Sequence, residues 1–245
     1  MSYHWNWGVF LSPTADGEST YLGWLLSGLE WTLALSLSAW LAALLLGTLF
    51  GTLRTVPKRW LALLGAAYVE VFRNTPLLVQ LFTWYFVLPE LLPPAWGNAV
   101  KQMDPLLQQF LAAWLCLACF TGARVAEQVR AGIESLPRGQ KAAALALGLT
   151  LPQAYRHVLL PISFRIIVPP LTSEFLNIFK NSAVASTIGL IELSRQAQQL
   201  VDYTAQPYEA FIAVTLLYAL INVLVMLLMR RIETRSRVPG YIGSK

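Results

Sequence analysis

The sequence predicts an all-α integral membrane protein with five transmembrane helices, an external N-terminus and a cytoplasmic C-terminus. Three observations lead there. Of 245 residues, 56% are hydrophobic and only 13% are Asp, Glu, Lys or Arg, where a soluble domain carries about a quarter charged residues. Three runs, Trp31–Leu53, Pro105–Ala123 and Ala210–Met229, contain no charged residue at all, and a helix of about 20 such residues crosses about 30 Å of hydrocarbon. The basic residues, finally, are distributed unevenly between the apolar runs.

No Lys or Arg precedes Arg54, so the charged n-region of a secretory signal is lacking and the mature chain is expected to begin at Met1. The first span is residues 31–53. The second, 60–88, is interrupted by Glu70 and Arg73; the third is 105–123; the fourth, 166–191, carries Glu174 and Lys180; the fifth is 210–229. Charge within a span is costly, so the second and fourth helices should face protein or water. Together these make one transmembrane domain over residues 1–245.

Fourteen basic residues follow spans one, three and five: Arg54, Lys58 and Arg59; Arg124, Arg130, Arg138, Lys141, Arg156 and Arg165; Arg230, Arg231, Arg235, Arg237 and Lys245. The opposite side holds only Lys101 and Arg195. By the positive-inside rule the fourteen are cytoplasmic. This placement also accounts for the pI near 9.4 without nucleic acid, because the charge sits between membrane spans. Trp96, Tyr203 and Tyr208, with Pro93 and Pro94, mark the outer interface. Cys116 and Cys119 have redox spacing, but they lie in an uncharged run with no electropositive helix end, and they read as packing residues.

The cytoplasmic stretch from Arg124 to Arg165 is about forty residues long, too long for a simple connector. Lys141–Leu147 favours helix, and Gly148 stands where a left-handed helix-terminating residue belongs. Thr150 and Gln153 can form a capping box, with Pro152 tolerated in the first turn and Pro161 ending the helix. The pattern predicts helix, glycine turn, helix over residues 138–161. Periodicity alone favours an amphipathic hairpin held on anionic lipid; the spacing changes that balance.

The spacing Ala142-Ala143-Ala144, three residues, Gly148, nine residues, Val158-Leu159-Leu160-Pro161 resembles the signature of the membrane subunits of ATP-binding-cassette importers, E-A-A, Gly and I-x-L-P. One position departs: Ala142 replaces the glutamate, with Lys141 before it, so that glutamate's charge contact does not carry over. The similarity extends through V-E-V-F-R-N-T-P-L-L-V-Q-L-F at residues 69–82 and K-N-S-A-V-A-S-T-I-G at residues 180–189. Within the family it is similar to the polar amino-acid uptake branch, and there to glutamate/aspartate permeases.

The resemblance implies a bacterial inner-membrane permease with several partners: an ATPase homodimer that binds the ATP, a second permease or a second copy of this chain, an external amino-acid-binding protein, an amino-acid substrate and membrane lipid. It also implies that Ala142, Ala143, Ala144, Gly148, Leu160 and Pro161 form a coupling helix docked in the ATPase. The chain itself has no Walker A pattern, so it should bind no nucleotide cofactor.

An acidic amino acid needs cationic partners along its path. Span four carries Glu174, Asn177, Lys180 and Asn181 at helical spacings after Pro169 and Pro170, which should bend or interrupt it. Lys180 and Arg73 are the two cations within the predicted spans, the first a point charge and the second a bidentate fork. In the alternative, Glu70 satisfies Arg73, and Glu174 satisfies Asn177 and Lys180, between packed helices. Catalysis is disfavoured: the sequence has no H-E-x-x-H, no G-x-S-x-G, no expected metal site and only His4 and His157 as histidines. A stand-alone secondary transporter or channel is the competing reading, against which stand the five spans and the coupling segment.

Overall fold

The computed structural model describes residues 3–15 and 17–236. Met1, Arg237 and Lys245, which entered the expectations above, lie outside them. All regular elements among the described residues are helical: α1 (Tyr21–Leu53), α2 (Arg59–Asn74), α3 (Leu77–Leu91), α4 (Pro94–Lys101), α5 (Pro105–Glu134), α6 (Arg138–Ala146), α7 (Leu151–Ile188), α8 (Leu193–Thr204) and α9 (Pro207–Ser236). Before α1 a short 3₁₀ turn covers Trp7–Leu11.

Four of these helices, α1, α5, α7 and α9, are long and apolar enough to cross a membrane. Each is longer than its predicted span, although α7 stops at Ile188, short of the predicted end at residue 191. The charge-free runs mark where a helix meets hydrocarbon, but backbone hydrogen bonding continues into flanks that carry Glu30 in α1 and Arg124 to Glu134 in α5.

The predicted second span is broken. Pro76 has no N–H and crowds the residue before it, and Thr75 is accordingly extended at φ −92°, ψ 135°. Residues 60–88 therefore fall into α2 and α3. The latter contains a wide π turn, Thr83–Val87, in which the Leu88 N–H reaches back to the Thr83 carbonyl.

The expectation that Pro161 ends a helix is overturned. Tyr155–Leu159 forms a second π turn, closed by the Leu160 N–H on the Tyr155 carbonyl, and α-helix continues from Leu160 to Ser182 through Pro161. A proline ring collides with the carbonyl four residues back in a regular helix, and widening the preceding turn relieves that collision. Both π turns are followed by Leu-Pro, Leu88-Pro89 and Leu160-Pro161. Pro169 and Pro170 also lie inside the continuous helix and do not interrupt it.

The chain divides into two compact units. The first comprises Met1–Ala39, Pro76–Leu117 and Asn177–Leu224. Here α8 buries Leu193, Gln196, Ala197 and Leu200, one stripe at helical spacing. Leu193 and Ala197 pack with Leu25 and Val214, and Leu200 packs with Val9, Tyr21 and Ala210. The buried Glu192 caps α8, accepting the Arg195 N–H at 2.9 Å.

The second unit comprises Trp40–Thr75, Ala118–Leu176 and Val225–Lys245. Its centre is a close crossing of α1 and α5. A side-chain carbon at Gly47 would stand 2.6 Å from Val125 Cβ, and one at Gly51 2.6 Å from the Ala126 carbonyl. Only glycine allows that approach, as in small-residue helix contacts within membranes. Trp40 stacks on Phe175 at 4.8 Å, and the Tyr68 hydroxyl donates to the Cys119 carbonyl at 2.9 Å. Cys116 and Cys119 are not joined in a disulfide.

Candidate functional site

Two groups of expected residues belong to different parts of the structure, the α6–α7 turn and the polar side of α7. The turn closes as the composition of residues 141–153 predicts. The Leu149 N–H donates to the Ala144 carbonyl (3.2 Å) and the Gly148 N–H to the Leu145 carbonyl (3.0 Å), the paired bonds that satisfy the end of a helix around a left-handed residue. Gly148 has φ +85°. On the far side Gln153 Oε1 accepts both the Thr150 N–H and its hydroxyl at 2.8 Å, with Pro152 in the first turn of α7.

This turn projects apolar atoms outward. Ala142, Ala143, Leu145 and Gly148 are exposed and Leu147 is 84% exposed, while Ala144 faces inward. Leu160 is half-buried and Pro161 exposed on the continuous helix.

The residue that anchors the turn was missed at the sequence level. Tyr155, 5% exposed, donates its hydroxyl to the Thr55 carbonyl at 2.8 Å and lies 3.1 Å from the Thr55 hydroxyl. Lys141 Nζ sits 5.8 Å above the Tyr155 ring, a cation–π contact in which Lys141 turns toward its own segment. A tyrosine in the middle of Y-R-H-V-L carries no local mark of that partnership; only the fold brings residue 55 to residue 155.

The intramembrane charges are paired differently from either expectation. Glu174, 7% exposed, binds Arg124 Nε of α5 at 2.8 Å, with Gln128 Nε2 at 3.4 Å. It does not satisfy Lys180. Glu70 accepts from Asn74 at 2.5 Å, and Arg73 instead lies 3.7 Å from Glu127 of α5. That carboxylate also takes Arg54 from the end of α1 and Arg130 at 2.7 Å. Glu127 is thus a hub for three arginines from α1, α2 and α5. Ending the third span at Ala123 hid these groups, although Arg124, Glu127, Gln128 and Arg130 recur at helical spacing.

In the first unit the polar residues of α7 diverge. Asn181 borders a small apolar space of about 10 Å³ with Leu77, Leu81, Cys116 and Val184, near the limit for one water. Lys180 lines a groove of about 400 Å³ with Ala183, Thr215, Tyr218, Ala219 and Asn222, a volume within the range of small-molecule sites. Among the described residues Lys180 has no carboxylate within ion-pairing distance. Tyr218 is held in that groove by Glu192, to which its hydroxyl donates at 2.9 Å. Thr215, Tyr218 and Asn222 recur at three- and four-residue steps on α9, a pattern that an apolar span hides because each residue is uncharged. Asn177 is half-buried on the same helix. No group of three or more His, Cys, Asp or Glu side chains among the described residues could hold a metal ion.

Residues 43–238 match the family described as binding-protein-dependent transport system inner membrane component. The chain belongs to that family. This inner-membrane component is 58% identical over 246 residues to the glutamate/aspartate import permease protein GltJ of Escherichia coli K12, with all of both chains covered. It is 31% identical over 218 residues to the permease GltK of Escherichia coli O6:H1, covering 88% of this chain and 94% of that one. A crystal structure of an amino acid ABC transporter with histidines superimposes with a TM-score of 0.73 at 32% identity, over 88% of this chain and 95% of the other. The chain is therefore a multi-pass, helical transport permease, and the resemblance of residues 142–161 to the importer signature belongs to a family relationship that spans most of its length.

Proposed function

We propose that this permease carries glutamate and aspartate across a bacterial inner membrane as one subunit of an ATP-driven importer. The observation that carries this reading is the full-length 58% identity to GltJ. In it α2 and α3 together supply a fifth crossing. Each has about 15 residues and spans only about 23 Å at 1.5 Å per residue, and the pair is long enough where neither is alone. The fourteen-to-two basic asymmetry supports an N-terminus outside and a C-terminus in the cytoplasm.

The exposed α6–α7 turn, with Ala142, Ala143, Gly148 and Leu147 outward, is the coupling helix that seats in a cytoplasmic ATPase homodimer. Ala144, Leu160 and Pro161 support it from within the segment. Because Lys141 stacks on Tyr155 and Ala142 replaces the signature glutamate, docking relies on shape and apolar contact. An external binding protein delivers the amino acid, and the parallel relationship to GltJ and GltK supports a pore made with a second, different permease.

Affinity purification of the chain in mild detergent, followed by mass spectrometry, tests the assembly. An ATPase and a second permease are expected in the eluate; recovery of the chain alone would count for a self-sufficient transporter.

Lys180 is the cation of the path, with Thr215, Tyr218 and Asn222 opposite it, while Arg73 and Glu174 serve the ion pairs that hold the helices and Asn177 and Asn181 flank the path. Lys180→Met should abolish glutamate uptake in reconstituted vesicles while leaving complex assembly and the unfolding midpoint unchanged, because no carboxylate is left unpaired. Full uptake by the variant would remove Lys180 from the path.

A further inference from the structure

The segment before α1 is fastened to the start of α9. Glu209, fully buried, accepts the Asn6 backbone N–H at 2.6 Å and the Tyr3 hydroxyl. Val9, 3% exposed, packs into the cluster of Tyr21, Leu200 and Ala210. The segment is thus held from both its polar and its apolar side.

Phe10 also packs against that core, but Trp5, Trp7 and Leu11 point away from it. Trp5 is 55% exposed, Trp7 52%, Leu11 74% and Tyr208 of α9 54%. The two indoles stack in parallel, with centroids 5.7 Å apart and planes 5° from one another, and Tyr208 stands 5.8 Å from Trp5. Indoles left this exposed need an amphipathic surface, apolar on the ring and polar at the N–H. The platform also continues into a groove of about 370 Å³ along α9, lined by Pro207, Tyr208, Phe211, Ile212, Thr215 and Leu216. That groove opens the charge-free run of α9, Ala210–Met229, so the aromatic surface is continuous with a helix face that meets hydrocarbon.

We propose that residues 3–11 form an interfacial strap that seats one phospholipid, with Trp5, Trp7 and Tyr208 at the level of the headgroup esters and an acyl chain in the groove of α9. The indole N–H groups and the Tyr208 hydroxyl supply hydrogen bonds to ester and phosphate oxygens, and the ring faces and Leu11 enter the acyl boundary. Charge defines the lipid class. Residues 3–15 contain no Asp, Glu, Lys or Arg, so no fixed cation recruits an anionic headgroup and a neutral, zwitterionic phospholipid suffices. Glu209 is the latch that holds the strap in register with the groove.

The test uses the full chain in phosphatidylcholine nanodiscs. With nine tryptophans present, the signal of interest is the fluorescence lost in the double variant Trp5→Phe, Trp7→Phe. Lipid brominated near the carbonyl end of its acyl chains should quench that difference signal at least about twofold more than lipid brominated near the methyl end, as for indoles at an interface. Exchanging part of the lipid for phosphatidylglycerol, or raising salt, should leave the quenching unchanged. Glu209→Ala should red-shift the difference signal and weaken its quenching by lipid. Efficient quenching by aqueous iodide with none by bromolipid would overturn the proposal. So would a signal that responds to an added soluble binding protein and not to bromolipid, which would make the platform a protein-docking surface.

Discussion

Glutamate uptake is expected to be lost in Gly148→Val while the permease still inserts and still assembles. Gly148 adopts φ +85°, and a side-chain carbon built there meets nothing within 4 Å. The penalty is therefore one of backbone conformation: about 1–2 kcal/mol for an L-residue in the left-handed region, and more for a β-branched one. The two bonds from Gly148 and Leu149 back to Leu145 and Ala144 depend on that conformation. A chain that escapes it must re-aim Leu147 and the start of α7. The substitutions should grade by backbone tolerance: Asn near normal, Ala intermediate, Val inactive. Uptake in intact cells, measured with ATPase co-purification, checks the series. Equal loss in the Asn and Val variants would mean that the site rejects any side chain, and the conformational argument would fail.

Glu127→Ala should be the most destabilising single removal of charge in the second unit. Its carboxylate is bonded by Arg54 and Arg130 and faced by Arg73, with side-chain exposures of 26% for Glu127 and 14% for Arg54. Removal leaves Arg54 and Arg73 without the carboxylate that they share, and Arg130 with Glu134. A fully buried pair broken in this way costs about 3–5 kcal/mol; with a quarter of the carboxylate in contact with solvent, about 2–3 kcal/mol is expected. Glu134, half exposed and paired with Arg130, provides the contrast, and Glu134→Ala should cost under about 0.5 kcal/mol. Unfolding midpoints of the detergent-solubilised variants decide between a hub and a set of surface pairs. Equal midpoints for the two variants would dissolve the hub.

The elements most legible in the chain were those governed by local chemistry. Runs without charge located α1, α5 and α9, because the cost of charge in hydrocarbon acts residue by residue. The turn at Gly148 with Thr150 and Gln153 was readable because each of its bonds joins residues within five positions. The break at Thr75-Pro76 carried a local mark too, a proline in an apolar run, but the same mark at Pro161 has the opposite outcome. A π turn absorbs the proline there, and whether a helix widens or stops depends on what holds its flanks. Tyr155, bonded to Thr55, is such a hold. The pairing of Arg124 with Glu174 and the reach of Arg54 and Arg73 to Glu127 join residues fifty and more positions apart, so no window of sequence contains them. Lys180 was visible as a cation in a span, whereas Thr215, Tyr218 and Asn222 were not, since a hydroxyl or an amide hardly alters the apolar character of α9.

The persistence of helix through Pro161 bears on mechanics. From Leu151 to Ile188 the backbone forms one uninterrupted strut of 38 residues, about 57 Å long at 1.5 Å per residue, with no slack loop along it. If the Gly148 turn is the coupling point proposed above, a push there would enter this strut at its end, with no linker to uncoil. The place where it can yield is the wide turn Tyr155–Leu159, four residues from the point of entry, where Tyr155 is moored to Thr55.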